Sequence, residues 1–348
     1  MLPPLKFGLT GFGAWGKFHA QSIAQAEGAQ LAAIVASSEK SRDEARQLHP
    51  GAKVFADHRA MLAEADVDVV DIVTPSHTHC EICTDALNAD KHVLLEKPMA
   101  LNVGDCRAMV DLAAAKNRVL AIGHELRLSS QWGEVKRIIE RGTIGTPQYA
   151  LVELSRKPYR TGAGGWRYDA SRVGSWVLEE PIHFFDLARW YLAEHGEPES
   201  IFAMANSRDA TRPDLHDNFS SIMRYASGAY AVVTQTLAAF EHHQTVKVAG
   251  TKGAVWAAWS GAMDRTLEPS FSLRVFDGEQ VGDVKLQKQS GEVFELREEI
   301  AMMVRCVRDG TKPVATGEDG MWSTALCLAA EESVGAGAVV NLREFLNR

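Results

Sequence analysis

The stretch "LKFGLTGFGAWGKFHAQSIAQ", Leu5 to Gln25, constrains the fold of this chain more than any other. An apolar strand-like run leads straight into Gly11-x-Gly13-x-x-Gly16, and helical periodicity follows. Glycines at this spacing permit a tight turn and close backbone approach, and the N–H groups of a helix start attract a pyrophosphate. Alone the motif is weak, because a glycine-rich turn often has a purely structural job. At the first turn of an alternating strand–helix pattern it is specific, and it nominates Gly11, Phe12, Gly13, Ala14, Trp15 and Gly16 as a dinucleotide cradle.

That alternation runs from Leu5 to His124. "LKFGLT", "LAAIVA", "VDVVDIVT", "HVLLEK" and "RVLAIGH" read as strands, separated by amphipathic segments such as "HTHCEICTDALNAD" and "GDCRAMVDLAAAKN". Strands apolar on both faces and separated by helices predict a parallel, doubly wound sheet. Beyond a helix near Gln131 to Arg141 the texture changes. "QYALVELSR", "SIFAMANSR", "NFSSIMRYA", "AYAVVTQTLAA", "TVKVAGTKGAVWAAW" and "FSLRVFDG" are consecutive strand-like runs joined by turn residues. They predict an antiparallel sheet, interrupted by a helix starting near Pro181 and followed by helices from about Val293 and Asp319. At 348 residues the chain exceeds what one core usually serves. The reading is therefore α/β in two domains, a nucleotide-binding domain over 1–125 and a second over 126–348, with the C-terminal helix able to pack back on the first.

A formal charge of -8 and no block of lysines or arginines argue against nucleic acid or an anionic membrane as partner. The start, "MLPPLKFGLTGFG", lacks a basic and apolar signal sequence, and no stretch reaches the roughly 18 apolar residues of a membrane span. A cytoplasmic location is expected. Five cysteines, an odd number, suit reduced thiols rather than a disulfide framework. "SHTHCEIC" offers His77, His79, Cys80 and Cys83, but Cys80 and Cys83 fall at helical spacing and no second ligand pair follows, so no metal is expected.

Enzymes that prefer NAD end the second strand with an acid that binds the ribose hydroxyls. Here that strand ends "IVASSEKSR", with Ser37 and Ser38 at the expected position and Arg42 close behind. Hydroxyls and a guanidinium suit a 2′-phosphate, which favours NADP(H) over NAD(H). The alternative is a plain turn at Ser37 and Ser38 with Arg42 solvated.

In "HVLLEKPMAL", Lys97 follows a buried strand, at the carboxyl end where open α/β sheets bind ligands. A poorly solvated lysine there can exchange protons or bond a substrate hydroxyl, and Glu96 can orient it. The bland alternative, an edge lysine reaching solvent, leaves the adjoining Glu and Pro without a reason.

With these residues in view the chain resembles the Gfo/Idh/MocA family of glucose-fructose oxidoreductase and inositol 2-dehydrogenase. The resemblance rests on "GFGAWGKFHA", "TPSHTHCEICTDALNADKHVLLEKP", "ERGTIGTPQYA", "GGWRYD", "EEPIHFFDLARWYL" and "DGMWSTALCLAAEES", nearly the whole length. It implies a Rossmann domain followed by an α/β domain with an open, mainly antiparallel sheet, and reversible oxidation of a secondary alcohol on a sugar or cyclitol. It makes Lys97 catalytic, adds Thr74, Pro75, His79, Glu96 and Lys97 itself to the cofactor contacts, and implies a homodimer or homotetramer through the C-terminal sheet. The family's Asp-x-Gly-x-His-x-x-Asp falls on "EEPIHFFD": His183 matches the histidine assigned as general base, and Asp186 the final acid. Glu179 stands in place of the first aspartate and Pro181 in place of the glycine. Glu179 is thereby a candidate catalytic and substrate-binding residue with a longer reach than its counterpart.

Hydride transfer needs a base and orientation from the protein. Pro181 suits the first turn of a helix, which puts His183 near a helix N-terminus, where the dipole disfavours imidazolium. Neutral His183 can accept the hydroxyl proton while Lys97 stabilises the oxygen. Asp186, one turn on, can orient the imidazole or cap a strand. Arg127, Tyr159, Arg160, Trp166 and Arg167 are candidates for the sugar pocket, since aromatic faces and multiple donors suit polyols. Two rival readings stay open, an NAD-dependent glycoside hydrolase or lyase using transient sugar oxidation, and a nucleotide-sensing regulator without catalysis. Adjacent Glu179 and Glu180 cannot flank one glycosidic bond at the usual carboxylate separation, which weighs against the first.

Overall fold

The structure, a computed structural model, describes residues 2–348. Its first sheet contains β1 (Leu5–Thr10), β2 (Ala29–Val35), β3 (Lys53–Phe55), β4 (Val69–Ile72), β5 (His92–Leu95) and β6 (Leu120–Ile122). All neighbours are parallel, in the order β3-β2-β1-β4-β5-β6. The order reverses between β1 and β4, so the connections leaving these two strands diverge and open a crevice at their carboxyl ends. Phe7, Leu9, Val69, Val70, Ile72, Val93, Leu94 and Leu95 are buried, as strands covered by helices on both faces require. The strand β3 escaped the sequence reading because it is only Lys-Val-Phe, too short for a periodic signal.

The second sheet contains β7 (Pro147–Arg156), β8 (Ser200–Asn206), β9 (Asn218–Arg224), β10 (Tyr230–Thr236), β11 (His242–Gly250), β12 (Ala254–Gly261), β13 (Ser270–Phe276), β14 (Val281–Asp283) and β15 (Val340–Asn341). Its order is β14-β13-β12-β11-β7-β10-β9-β8-β15. The sheet is mainly antiparallel, as expected, with one parallel pair, β7 with β10. That pair arises because the chain leaves β7 through helical segments, among them the helix Pro181–Tyr191, before the meander β8-β9-β10 begins; a parallel neighbour needs such a crossover. The helix packs against β7 and β10. Along β7, Ala150, Val152 and Leu154 are buried while Leu151 and Glu153 between them are half-buried. Pairing registers put Met204, Ile222, Tyr230, Trp256 and Phe276 together on one exposed face.

The chain forms two compact units, one of residues up to Glu125 with Glu295–Met321, the other of Leu126–Phe294 with Trp322–Arg348. The segment returning to the first unit lies against β6: Ile122 N donates to Ala315 O at 3.1 Å, and Ala121 bridges Thr316. Close approach explains Gly320, where a Cβ would stand 2.7 Å from Ile122 Cγ1. All five cysteines are free, and Cys83 lies in the apolar core. Among the described residues, no helix is long and apolar enough to cross a membrane.

Candidate active site

The glycine turn after β1 separates structural need from ligand space. Gly11 has φ +104°, and a Cβ there would stand 2.2 Å from Val73 O; on Gly16 it would stand 2.0 Å from Gly11 O. Neither position can hold a side chain without moving backbone. A Cβ on Gly13 would meet nothing within 4 Å. Gly13 is also the residue before the helix Ala14–Gln25, whose start has no side-chain cap. Open space beside uncapped N–H groups is what a pyrophosphate needs, so these residues fit an NAD(P) cofactor. Phe12 is buried with its ring edge-on to His49.

At the end of β2, Ser37 and Ser38 are exposed. Ser38 caps the helix Glu39–Leu48, its Oγ accepting from Ser41 N at 3.1 Å. Arg42 donates from Nη1 to the Ala36 and Ser37 carbonyl oxygens at 2.9 and 2.7 Å, and from Nε to Glu39 Oε2 at 3.1 Å. Its guanidinium is thus fixed beside the two serines, but already shared with a carboxylate.

After β4, the Thr78 hydroxyl lies 2.8 Å from both Thr74 Oγ1 and Pro75 O. His79 is buried, with its ring nitrogens each 2.8 Å from a carbonyl oxygen, Thr74 on one side and Pro98 on the other. Its side chain braces the loops after β4 and β5 against each other.

After β5 comes Glu96-Lys97-Pro98, with a cis peptide between Lys97 and Pro98. The Glu96 carboxylate is buried and heavily bonded. Its Oε1 accepts from Trp15 Nε1 at 2.8 Å and lies 3.1 Å from His19 Nε2; its Oε2 accepts from Lys97 N at 3.2 Å. Trp15 belongs to the helix that opens at the glycine turn, so one hydrogen bond ties that turn's helix to the strand end carrying Lys97. The far side of the His19 ring, Nδ1, lies 2.9 Å from Asp71 Oδ2. Burial alone would raise Glu96, but His19, Lys97 and Trp15 bring its pKa down to about 2. Sequence reasoning missed His19 and Asp71. Asp71 had a readable signal: an acid inside the apolar strand "VDVVDIVT" cannot be buried without a partner.

In the second unit the helix Pro181–Tyr191 begins with proline in its first turn, and His183, two residues on, is buried. The two preceding acids point to different arginines. Glu179 pairs with Arg167, whose guanidinium also lies 4.7 Å from the Trp166 ring centroid; Glu180 pairs with Arg156, which lies over Tyr159 at 4.9 Å. Glu180 Oε1 is also 3.3 Å from His242 Nε2. The Tyr159 hydroxyl is buried without a hydrogen-bond partner, and Arg160 is exposed near Asp264. Arg156 went unread because it ends the strand-like run "QYALVELSR", and His242 because it lies in the turn-like "FEHHQ" before the next run. Arg127 is held by a carboxylate of the same helix that carries His183. It is buried in a bidentate pair, Nε to Asp186 Oδ2 and Nη2 to Asp186 Oδ1, both 2.7 Å, with Ser323 Oγ donating to Asp186 Oδ1 at 3.2 Å. The fork-shaped guanidinium and the carboxylate match in geometry, and the pair anchors the helix carrying His183.

The sequence matches the family described as "Oxidoreductase family, NAD-binding Rossmann fold" over residues 5–124, and the "GFO/IDH/MocA C-terminal domain" over residues 132–256. The chain belongs to the Gfo/Idh/MocA oxidoreductase family. It is 27% identical to myo-inositol 2-dehydrogenase of Thermotoga maritima, across 98% of this chain and all of that protein. It is 26% identical to 1,5-anhydro-D-fructose reductase of Ensifer adhaerens, across 95% and 99%. The apo scyllo-inositol dehydrogenase of Lactobacillus casei superposes with TM-score 0.80 at 25% identity, covering 98% and 99%. For a Gfo/Idh/MocA member the glycine turn and the Glu96-Lys97 strand end occupy the nucleotide-binding domain that the family match spans.

Proposed function

We propose that this oxidoreductase moves a hydride reversibly between a nicotinamide cofactor and a secondary alcohol or ketone of a sugar, sugar derivative or cyclitol. One observation carries the reading: Trp15, from the glycine-turn helix, bonds the carboxylate that holds the Lys97 backbone, coupling cofactor cradle and catalytic strand end. Relatives named for inositol and anhydrofructose support the substrate class. The bound cofactor supplies the hydride acceptor or donor. Lys97 donates a hydrogen bond to the reacting oxygen and stabilises its developing charge, and His183 accepts the hydroxyl proton in the oxidative direction. Arg167 holds Glu179, which leaves the carboxylate oriented to accept from a substrate hydroxyl; Tyr159 and Trp166 supply apolar and polar surface for a polyol. NADP(H) is preferred over NAD(H), supported by Ser37, Ser38 and the fixed Arg42 at the end of β2. The Glu39 carboxylate on the same guanidinium is the feature that would instead accept ribose hydroxyls in an NAD enzyme. The glycosidase reading loses support because Glu179 and Glu180 serve separate ion pairs.

The test is titration of NADPH and NADH into wild-type, Lys97→Ala and His183→Ala proteins, followed by turnover on a panel of inositols, aldoses and anhydro sugars. Each substitution is expected to lower kcat by about 10²–10⁴-fold while nucleotide affinity stays near wild-type. Full activity in Lys97→Ala would sink the mechanism. Tighter binding of NADH than of NADPH would sink the cofactor preference.

A further inference from the structure

Behind Lys97 the first unit buries more charge than a hydride-transfer site needs. Asp71, His19 and Glu96 form a chain from the centre of β4 to the end of β5. Ionised carboxylates only accept, so an imidazole with a carboxylate oxygen on each nitrogen satisfies both contacts only as imidazolium. Burial works against that charge, yet Asp71 and Glu96 outweigh it and raise the His19 pKa well above its ordinary value. A fourth group completes the cluster. Glu299, from the helix Glu292–Asp309, is 1% exposed, and its Oε2 is buried without a hydrogen-bond partner. It has a carboxylate oxygen within 4.8 Å of ligand atoms on both His19 and Glu96. The charged groups facing it are His19, Asp71 and Glu96, with Lys97 beyond Glu96. Lys97 is half-buried, at the edge of the cluster, so within the dry interior itself two carboxylates face a single imidazolium. A third ionised acid there would cost several kcal/mol.

We infer that His19, Asp71 and Glu299 are positioning residues for catalysis: the Asp71–His19 pair clamps Glu96, Glu96 fixes the Lys97 backbone, and Glu299 closes the cluster as an uncharged acid. The inference rests on Lys97 being catalytic. Burial first, then the charge of Glu96, pushes the Glu299 carboxyl well above its ordinary range. The sign follows. An acid raised in the folded state keeps a proton that the unfolded chain has released, so stability falls as pH rises from the ordinary glutamate value toward the folded one. Ionisation of Glu299 would pull at His19 and disturb the clamp on Glu96, linking alkaline pH to misplacement of the amine.

Three variants of the full-length protein test this, His19→Asn, Glu299→Gln and Glu299→Ala, with urea stability across pH and the pH profile of kcat as readouts. Glu299→Gln mimics the protonated acid. It is expected to keep kcat near wild-type at neutral pH, extend the alkaline limb, and flatten the fall of stability with pH. His19→Asn is expected to lower kcat about 10–100-fold with KM for NADPH within about threefold, since the cradle is untouched while the amine is misplaced. Glu299→Ala leaves a cavity and loses stability at every pH. A Glu299→Gln protein as pH-dependent as wild-type in stability would overturn the inference without touching the Lys97 reading, because that readout needs no turnover. Stoichiometric divalent metal in the purified protein, lost in His19→Asn, would overturn it by making the cluster a metal site. Loss of cofactor affinity in His19→Asn with kcat unchanged would overturn the positioning role.

Discussion

At the scale of single residues, the pair Arg127–Asp186 shows how a buried cation and a buried carboxylate depend on each other. Both partners are almost wholly buried, and the two hydrogen bonds are parallel and short. Removing one partner leaves the other charge desolvated, whereas removing both does not. Arg127→Leu is therefore expected to cost about 3–5 kcal/mol in urea denaturation, and Arg127→Met with Asp186→Leu markedly less. Equal losses in the single and double variants would show that packing around Trp190, over which Arg127 lies at 5.2 Å, dominates instead. Arginine in a sequence looks the same whether it awaits a ligand or an internal carboxylate. The local sequence does not show the carboxylate that Arg127 bonds, because that partner lies 59 residues away.

At the scale of elements, the first strand–turn–helix holds glycines of two kinds. Gly16 is demanded by the chain itself, because a Cβ would enter Gly11 O, while Gly13 is spared by the chain and left open. Gly16→Ala should cost about 1–3 kcal/mol of stability. Gly13→Ala should leave stability within about 0.5 kcal/mol but weaken NADPH binding about tenfold or more. Calorimetric titration beside thermal unfolding separates the two, and a Gly13→Ala protein that binds NADPH as well as wild-type would show that the pyrophosphate lies elsewhere. The motif was legible because both demands act within six residues. The strand β3 was not, since three residues carry no period, and the parallel pairing of β7 with β10 was hidden because strands 74 residues apart give no local sign of direction.

At the scale of the whole molecule, the second sheet leaves Met204, Ile222, Tyr230, Trp256 and Phe276 exposed on a common face. These large apolar side chains, interspersed with exposed Arg224, Lys247 and Arg274 on the same face, fit self-association of the sheet. A homodimer or homotetramer through this face is our expectation, and light scattering should give a multiple of 38.1 kDa that falls to the monomer when Ile222 and Trp256 are both replaced by Glu. A monomeric wild-type protein would refute it.

The division of labour between chain and fold follows from range. Sequence alone determined the doubly wound first domain, the strand-rich second part, the glycine turn, the Glu96-Lys97 strand end and the helix start before His183, because each is written in neighbouring residues. Only tertiary structure decided that His79 braces two loops, that Arg127 belongs to Asp186, and that Asp71, His19, Glu96 and Glu299 share one buried cluster. Those four residues come from β4, the first helix, the end of β5 and a helix near the chain's end. A buried charge must find its partner wherever folding brings one, and that choice is made in three dimensions.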